Sequence, residues 1–309
     1  MNVIHSATEL GNGSRTTCLA IGFFDGVHLG HQQIIRQTVA DARQHDALAL
    51  VITFDRHPNT VVAPDRVPAL IYSFPQKLEA IAGLGADTLL QIHFDESFSR
   101  QPGGDFIRGL ARDAGKIRSL CVGAEFVFGH QRSGNVALLK KLGGELGFTV
   151  HGLAAVSLDG QVVSSTRIRD ALRAGRLDLV NQMLGRPYAI SGRVIEGDRI
   201  GQQLGFPTAN LDVAGLMLPP KGVYAGRACV NRQFHPVALN IGFRPTVVSA
   251  APQLRVEAHL LDFAGDLYGR ELEIEVGDRL RDEKKFTSSA ELREQIGRDI
   301  AMVRRAGRS

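Results

Sequence analysis

The order of apolar and amphipathic segments changes near Pro187, and this change constrains the fold more than any other feature of the chain. Before Pro187, apolar runs alternate with amphipathic segments, as repeated strand–helix units do. Beyond Pro187, apolar runs follow one another across glycine and proline turns. The earlier runs span residues 17–24, 47–54, 88–94, 120–128 and 148–156, and the later ones span residues 189–195, 222–230, 235–241, 254–262 and 271–276. The sequence therefore predicts two domains of different fold class.

The first domain is predicted to be an α/β domain whose parallel sheet is covered by helices on both faces. Its helical patterns span residues 76–84, 105–114 and 135–146. Right-handed crossovers place the carboxyl ends of such strands along one edge of the sheet, so ligands are expected at that edge.

The second domain is predicted to be an antiparallel sheet or small β-barrel closed by one helix. Residues 288–291 read S-S-A-E, a capping box. The helix that follows carries an apolar stripe that should lie across the barrel: Leu292, Ile296, Ile300 and Val303. Gly185 can end the preceding helix and Pro187 prevents its continuation, so the predicted domains are residues 1–185 and 186–309.

Composition places the chain among ordinary globular proteins. Its 309 residues suffice for two domains, and a content of 44% hydrophobic and 22% charged residues argues against a disordered chain. No apolar run approaches membrane-spanning length, and the first residues lack a basic segment followed by an apolar core. We therefore expect a cytoplasmic protein with no membrane partner.

Charge and cysteine content add two expectations. The net charge of +4 is dispersed, and its densest run, Arg304, Arg305 and Arg308, is typical of a solvated helix end rather than of a nucleic-acid site. Three cysteines, Cys18, Cys121 and Cys229, lie far apart within apolar runs, which favours reduced, buried thiols. The sequence leaves the oligomeric state open.

Residues 22–31, which we call the two-histidine turn, read G-F-F-D-G-V-H-L-G-H and join the first apolar run to a helical pattern. Glycines allow close approach of a ligand, the helix start offers unpaired amides, and His28 and His31 can donate to phosphate oxygens. The turn is thus predicted to hold a nucleoside triphosphate. Its predicted contacts are Gly22, Phe24, Asp25, Gly26, His28, Gly30 and His31. A turn whose histidines only cap and pack is the alternative.

Residues 163–169 read V-S-S-T-R-I-R and lie where an extended segment meets a helix. Hydroxyl groups at a helix cap can pair with backbone amides or phosphate oxygens, and an arginine supplies a charged fork. We predict a further phosphate site at Ser164, Ser165, Thr166 and Arg169. An ordinary capped helix with solvated arginines is the alternative.

Residues 197–211 read G-D-R-I-G-Q-Q-L-G-F-P-T-A-N-L and form the most specific signal of the second domain. Its glycines can let backbone amides approach a polyphosphate, although the G-K-[ST] ending of a P-loop is missing. Thr208 and Asn210 place a hydroxyl and an amide oxygen on the same side of the chain, where both can coordinate Mg²⁺. The residues predicted at this polyphosphate site are Gly197, Gly201, Gly205, Pro207, Thr208 and Asn210. A glycine-rich hairpin is the alternative.

These motifs resemble those of a known family. The two-histidine turn resembles the H-x-G-H signature of nucleotidyltransferases in its bacterial FAD synthetase form, and residues 164–169 resemble the S-S-T-x-I-R motif of the same enzymes. G-F-P-T-A-N-L, residues 205–211, resembles the hallmark of riboflavin kinases. The chain is therefore identified as a member of the bacterial bifunctional riboflavin kinase/FAD synthetase family over nearly its whole length.

The resemblance implies a Rossmann-like nucleotidyltransferase domain followed by a riboflavin kinase barrel. It implies that the second domain phosphorylates riboflavin to FMN with ATP, and that the first adenylylates FMN to FAD with release of pyrophosphate. It also implies that ATP is the nucleotide bound at all three phosphate motifs, and that His28 and His31 are catalytic. Mg²⁺ is the implied metal, with Thr208 and Asn210 as its ligands. Glu257 matches the carboxylate that acts on the riboflavin hydroxyl.

Flavin contacts are predicted in both domains. For FMN in the first domain they are Asp55, His57, Pro58, Glu125 and Phe128, and for flavin in the second they are Arg281, Glu283 and Phe286. Glu125 stands where FAD synthetases usually carry Asn or Asp, and its charge is predicted to repel a phosphate. Val127 likewise replaces a frequent arginine, and Gln202 a frequent basic residue.

Two functional alternatives remain. One is a chain with a single working site, and the other is a regulator that binds flavin or nucleotide without turnover.

Overall fold

A computed structural model describes residues 1–10, 15–197, 200–244 and 253–306. The chain divides into two compact units. The first unit contains Met1–Ala69 and Phe74–Ser165, and the second contains Leu70–Ser73 and the chain from Thr166 onward.

The first unit is built on a parallel sheet of six strands in the order β1-β4-β3-β2-β5-β8. Two short antiparallel pairs, β6 with β7 and β9 with β10, lie outside this sheet. The strands are β1 (Asn2–Ile4), β2 (Thr17–Ile21), β3 (Leu48–Phe54), β4 (Thr88–Ile92), β5 (Ile117–Gly123), β6 (Val127–Phe128), β7 (Gly134–Asn135), β8 (Thr149–Leu153), β9 (Ser157–Leu158) and β10 (Gln161–Val162). Strands β3 and β4 lie on one side of β2 and β5 lies on the other, so the strand order reverses beside β2.

Helices cover both faces of this sheet, as the sequence predicts. They are α1 (Leu29–Gln44), α2 (Asn59–Val62), α3 (Phe74–Ala82), α4 (Glu96–Ser99), α5 (Gly103–Asp113) and α6 (Val136–Leu146). Short 3₁₀ helices span Ala7–Leu10, Asp25–Val27, Pro64–Arg66 and His130–Arg132. Successive side chains of a strand point to opposite faces. In β2, Leu19 and Ile21 accordingly join the apolar core beneath α5 and α6, whereas Cys18 and Ala20 join the core beneath α1 and α3.

Two strand predictions in this unit differ from the structure by a whole element. The apolar run 120–128 contains two elements, because β5 ends at Gly123 and the chain then turns before β6 pairs with β7. The edge strand β1 is missing from the prediction because its three residues are too few to show an apolar pattern.

The second unit contains a closed antiparallel barrel in the order β11-β12-β15-β14-β13-β16, which confirms the predicted barrel. Its strands are β11 (Ala189–Ile195), β12 (Ala209–Leu211), β13 (Gly222–Val230), β14 (Gln233–Arg244), β15 (Gln253–Leu260) and β16 (Glu271–Arg281). Strand β16 continues five residues beyond its predicted end, because it pairs with β11 through its first half and with β13 through its second. Its helices are α7 (Ser165–Arg173), α8 (Leu177–Leu184), α9 (Ile200–Gln203) and α10 (Ser289–Ala306).

The last helix, α10, packs against β13, β14 and β16, as predicted for a closing helix. Val303 and Ile300 contact Ala225 and Leu261 of the barrel. The predicted capping box differs in one bond. The amide of Glu291 donates to Ser288 Oγ at 3.2 Å, but the Glu291 carboxylate accepts from the amide and hydroxyl of Thr287 instead.

The prediction of three buried cysteines is right for Cys18 and Cys121 and wrong for Cys229. On β13 the neighbours Ala228 and Val230 are buried, so alternation turns the Cys229 side chain outward. At the basic end of α10, Arg304 forms an ion pair with Asp262, while Arg308 lies outside the described residues.

Candidate active sites

The two-histidine turn lies at the carboxyl end of β2, and α1 begins at Leu29 directly after His28. The imidazole rings of His28 and His31 stack with centroids 3.6 Å apart, and the Phe24 ring meets His31 edge-on at 5.3 Å. A Cβ atom on Gly30 would lie 3.3 Å from the His28 ring, so glycine leaves room for the stack. The structure thus brings together the two histidines and the first turn of a helix.

Burial sets the charge state of His31. Burial holds the pKa of His31 well below its usual value, and positive charge on His28 and Lys77 acts in the same direction. Within the described part of the chain, the buried Nδ1 atom of His31 has no hydrogen-bond partner. A neutral imidazole with an unsatisfied polar atom can accept or donate a hydrogen bond to a ligand.

The residues predicted around the second phosphate motif fall into both compact units. Ser164 and Ser165 belong to the first unit, and the Ser165 hydroxyl donates to the carbonyl of Asp25 at 3.2 Å. Thr166 and Arg169 belong to the second unit, where Thr166 is exposed and Arg169 is buried. Ser165 is therefore hydrogen-bonded to the backbone of the two-histidine turn. The contacts of all four residues with phosphate stay predictions.

A cavity of about 660 Å³ opens beside the carboxyl ends of the first sheet. It has an apolar, aromatic wall formed by Phe23, Phe54, Phe94, Phe98, Phe106, Phe126 and Phe128. The rings of Phe126 and Phe128 stack at 5.3 Å, and basic side chains of Arg100, His130 and Arg132 also line the cavity. Such a cavity suits a large planar ring system that carries an anionic group.

Two of the five residues predicted for FMN, Pro58 and Phe128, line this cavity. Asp55 instead supports the end of β4, because its carboxylate accepts from the Phe94 amide at 3.0 Å and contacts His93 at 2.6 Å. Those hydrogen bonds outweigh burial and lower the pKa of Asp55. His57 accepts from the Asn59 amide at 3.1 Å, and Glu125 is exposed to solvent.

Sequence reasoning missed most of the aromatic wall and one buried cation, Lys77. A signal for the wall is present, because phenylalanines stand at the last residue of β3 and shortly after the ends of β2, β4 and β5. Lys77 lies on α3 with only 5% of its surface exposed. Its position in an amphipathic helix gave no sign of burial, since lysines on such helices usually face solvent.

In the second unit, a cavity of about 320 Å³ lies between the barrel and α10. Glu257 and His259 alternate with the buried residues Val256 and Ala258, so they point to the outer face of β15 and line this cavity. Glu257 is half-buried, and among the described residues its carboxylate makes no hydrogen bond or ion pair. A carboxylate without a protein partner is available to a ligand hydroxyl.

A second cavity of about 500 Å³ adjoins the same barrel and is lined by Gly197, Pro207 and Tyr268. Thr208 and Asn210 line both cavities. The Oδ1 atom of Asn210 is buried and has no hydrogen-bond partner within the described residues. Thr208 and Asn210, the two predicted metal ligands, therefore form a wall shared by the two cavities, and the Asn210 amide oxygen lies in that wall without a described partner.

The glycines of this loop serve packing in the structure. A Cβ atom on Gly197 would overlap the Asn210 side chain, and one on Gly201 would overlap the carbonyl of Phe206. Gly205 has φ +88°, and its amide donates to the Gln202 carbonyl at 3.1 Å. The glycines thus allow the loop to fold closely around Asn210, and their contact with ATP stays a prediction.

Arg281, Glu283 and Phe286, the residues predicted for flavin, all line the cavity beside Glu257. Arg281 donates through Nε and Nη2 to the buried carboxylate of Asp299 on α10 at 2.9 and 2.8 Å. The guanidinium lies 5.8 Å from the Phe286 ring centroid. This ion pair ties the end of β16 to α10 and shapes one wall of the cavity.

A parallel sheet with two stacked histidines at the start of a helix, together with a barrel that places a carboxylate without a described partner near a hydroxyl and an amide oxygen, is typical of transferases that use nucleotides. Comparison with known proteins identifies which family of such transferases the chain belongs to. The FAD synthetase family model matches residues 12–167, and the riboflavin kinase family model matches residues 184–306. The chain belongs to the bifunctional riboflavin kinase/FMN adenylyltransferase family.

Relatives extend over nearly the whole chain. The bifunctional riboflavin kinase/FMN adenylyltransferase of Escherichia coli strain K12 is 38% identical over 98% of this chain and 97% of its own. The protein of the same name from Pseudomonas fluorescens is 36% identical, with the same coverage. A crystal structure described as a macrolide-efflux protein from Streptococcus pneumoniae has a TM-score of 0.81 and 26% identity over 98% of both chains. Within the described residues of this chain, helices long and apolar enough to cross a membrane are absent.

Proposed function

We propose that the second unit phosphorylates riboflavin to FMN and that the first unit transfers AMP from ATP to FMN. The observation that carries this proposal is the presence of separate cavities in the two units, each within the matching family segment. One chain would then catalyse two consecutive reactions, and FMN would be the product of the first and the substrate of the second.

In the first unit, we place the flavin ring of FMN in the aromatic cavity, where Phe126 and Phe128 offer stacking surfaces. The FMN phosphate attacks the α-phosphorus of ATP, a new phosphorus–oxygen bond forms, and the bond to pyrophosphate breaks. No protein nucleophile is needed, so catalysis depends on positioning and on stabilising phosphate charge. His28 and His31 supply hydrogen bonds to the phosphates in this proposal.

In the second unit, we place riboflavin in the cavity beside Glu257 and ATP in the cavity lined by Pro207 and Tyr268. The Glu257 carboxylate accepts the proton of the riboflavin hydroxyl as its oxygen attacks the γ-phosphorus, and ADP leaves. This arrangement is supported by the shared wall, because a phosphoryl group must pass between the two ligands where Thr208 and Asn210 stand.

The donor set in that wall fits Mg²⁺. The hydroxyl of Thr208 and the unsatisfied Oδ1 of Asn210 are hard oxygen ligands, and Mg²⁺ in such enzymes takes few protein ligands beside phosphate oxygens and water. Clusters of three or more His, Cys, Asp or Glu side chains suited to a resident metal are absent from the described residues, which agrees with a metal that arrives with ATP. When bound, Mg²⁺ would neutralise phosphate charge.

We place the functional boundary near Gly185, as the sequence predicts. This is supported by the end of α8 at Leu184, where Gly185 adopts φ +69°, and by the start of the riboflavin kinase match at residue 184. Residues 168–183 lie between the two family matches. A cytoplasmic location and the lack of nucleic-acid and membrane partners stay predictions from the sequence.

One experiment separates this function from its alternatives. The full chain is incubated with riboflavin, ATP and Mg²⁺, and the flavins are resolved by chromatography. Appearance of FMN followed by FAD supports two working sites. FMN without FAD would show that only the kinase site works, and FAD formed only when FMN is supplied would show that only the adenylyltransferase site works. Neither product from riboflavin or from FMN, in a protein that binds riboflavin, would favour a regulator.

A further inference from the structure

Lys77 connects three segments at the carboxyl edge of the first sheet. Its ammonium group donates to the Phe54 carbonyl at 3.0 Å, to the Thr53 hydroxyl at 3.2 Å and to the Phe23 carbonyl at 3.3 Å. The Thr53 hydroxyl in turn donates to the Phe23 carbonyl at 3.0 Å. All three donors of the ammonium are therefore used, and they link α3 to the end of β3 and to the start of the two-histidine turn.

The backbone of the two-histidine turn is strained. Phe24 has φ +54° and Val27 has φ +40°, although neither residue is glycine and valine is β-branched. A non-glycine residue in this region costs about 1–3 kcal/mol and persists only where neighbouring groups hold it. The conformation that places His28 and His31 therefore depends on restraints from outside the turn.

Side chains provide those restraints at three alternate carbonyls of the turn, those of residues 23, 25 and 27. The Phe23 carbonyl accepts from Lys77 and Thr53, and the Asp25 carbonyl accepts from Ser165. The Val27 carbonyl accepts from the amide group of Gln32 at 2.9 Å. Lys77 contributes the charged donor, and hydrogen bonds from a charged group are about twice as strong as neutral ones.

Charged groups surround the Lys77 ammonium on several elements. The carboxylates of Asp25, in the turn, and Asp55, after β3, act to raise its pKa, but burial dominates and lowers it to about 8. The imidazoles of His28 and His31 belong to the same turn, and the positive charge of Lys77 contributes to the low pKa of His31. Carboxylates and histidines ordinarily change charge below pH 8, so Lys77 is the group of this cluster that titrates near that pH.

We propose that Lys77 is a positioning residue for adenylyl transfer: by tying the start of the two-histidine turn to the end of β3, it holds His28 and His31 where they meet the ATP phosphates. Lys77 acts through the turn and does not itself contact substrate. The proposal rests on the FMN adenylyltransferase activity of the first unit.

The test uses the full chain with Lys77→Met, which keeps an unbranched side chain one atom shorter and removes its charge and donors. We expect kcat for FAD formation from FMN to fall by about 10–10²-fold, because small misplacement of catalytic groups costs this much. The KM values for FMN and ATP should change little, and riboflavin phosphorylation in the same preparation should be unchanged. Lys140→Met, on the exposed surface of α6, is the matched control and should retain both activities.

The dependence of kcat for FAD formation on pH tests the positioning role, because a purely structural role for Lys77 would not alter it. Lys77 is protonated below its folded pKa of about 8, so its three charge-assisted hydrogen bonds are present there; the charge and one of the three donors are lost as the pH rises through that value. The wild-type kcat for FAD formation should therefore decline above about pH 8, and Lys77→Met should lack this decline. Thr53→Val, which removes the hydroxyl link while keeping side-chain shape, should lower the same kcat and covers the case in which Lys77→Met does not fold.

Three results would overturn the proposal. They are a Lys77→Met kcat equal to that of the wild type, an equal loss of both activities in a folded variant, and a wild-type profile that stays flat through about pH 9, one unit above that pKa. FAD formation by the wild type tests the proposed function separately, so failure of the two ideas is distinguishable.

Discussion

Replacing Glu257 by glutamine tests the kinase site most directly. Glu257 lies on β15 with Asn210 of β12 and Asn240 of β14 as its register neighbours. Since its carboxylate has no hydrogen bond or ion pair among the described residues, glutamine breaks no such contact and fills the same volume. The free energy of unfolding should therefore change by no more than about 0.5 kcal/mol.

The expected effect on catalysis is much larger than this effect on stability. Glutamine cannot accept the proton of the riboflavin hydroxyl, and loss of a positioned acid–base group lowers rates by about 10²–10⁴-fold. This corresponds to about 2.7–5.5 kcal/mol of activation free energy. The loss should appear in kcat/KM for riboflavin phosphorylation, while adenylylation of supplied FMN should persist because its cavity lies in the first unit.

The assay measures FMN formed from riboflavin and FAD formed from FMN in one preparation of the variant. Glu275→Gln is the matched control, because Glu275 also lies on a barrel strand but pairs with Arg227 away from the cavities. Normal FMN formation by Glu257→Gln would assign Glu257 to the barrel surface and refute the proposed role. Parallel loss of both activities would show that the substitution damages the fold instead.

Two further outcomes are expected in the first unit. The double substitution His28→Ala and His31→Ala should abolish FAD formation and let FMN accumulate, as chromatography of the products would show; equal loss of both activities in a folded protein would contradict independent sites. Glu125→Asn should lower the apparent KM for FMN or ATP in adenylylation without altering riboflavin phosphorylation, because it removes a charge that repels phosphate. Weaker binding or slower turnover in steady-state kinetics would identify Glu125 as an adapted ligand.

Elements with long, regular apolar patterns were predictable from the sequence. The limits of β11 and β13 agree with the predicted runs, and the alternation in β2 follows the expected two-faced packing. The chemical motifs were also visible, because the two-histidine turn and the segment around Thr208 are contiguous in sequence. Local conformation, glycine placement and residue type suffice for such signals.

The shapes of the sites depended on contacts between distant residues. The aromatic cavity draws on loops after four different strands, and only the strand order brings those loops together. Lys77 reaches the Phe23 carbonyl across 54 positions of sequence, and nothing in its local pattern indicates burial. Asp299 meets Arg281 only because α10 folds back over the barrel.

The sequence by itself thus determined the two fold classes, the order of the domains and the candidate residues for phosphate and carboxylate chemistry, since periodicity and short motifs are local properties. Tertiary structure alone decided which side chains share a cavity and which polar atoms are left without partners. It also decided which cation is buried beneath the strained turn. Burial and hydrogen-bond satisfaction depend on every neighbour in space, and those neighbours are set by the packing of the whole unit.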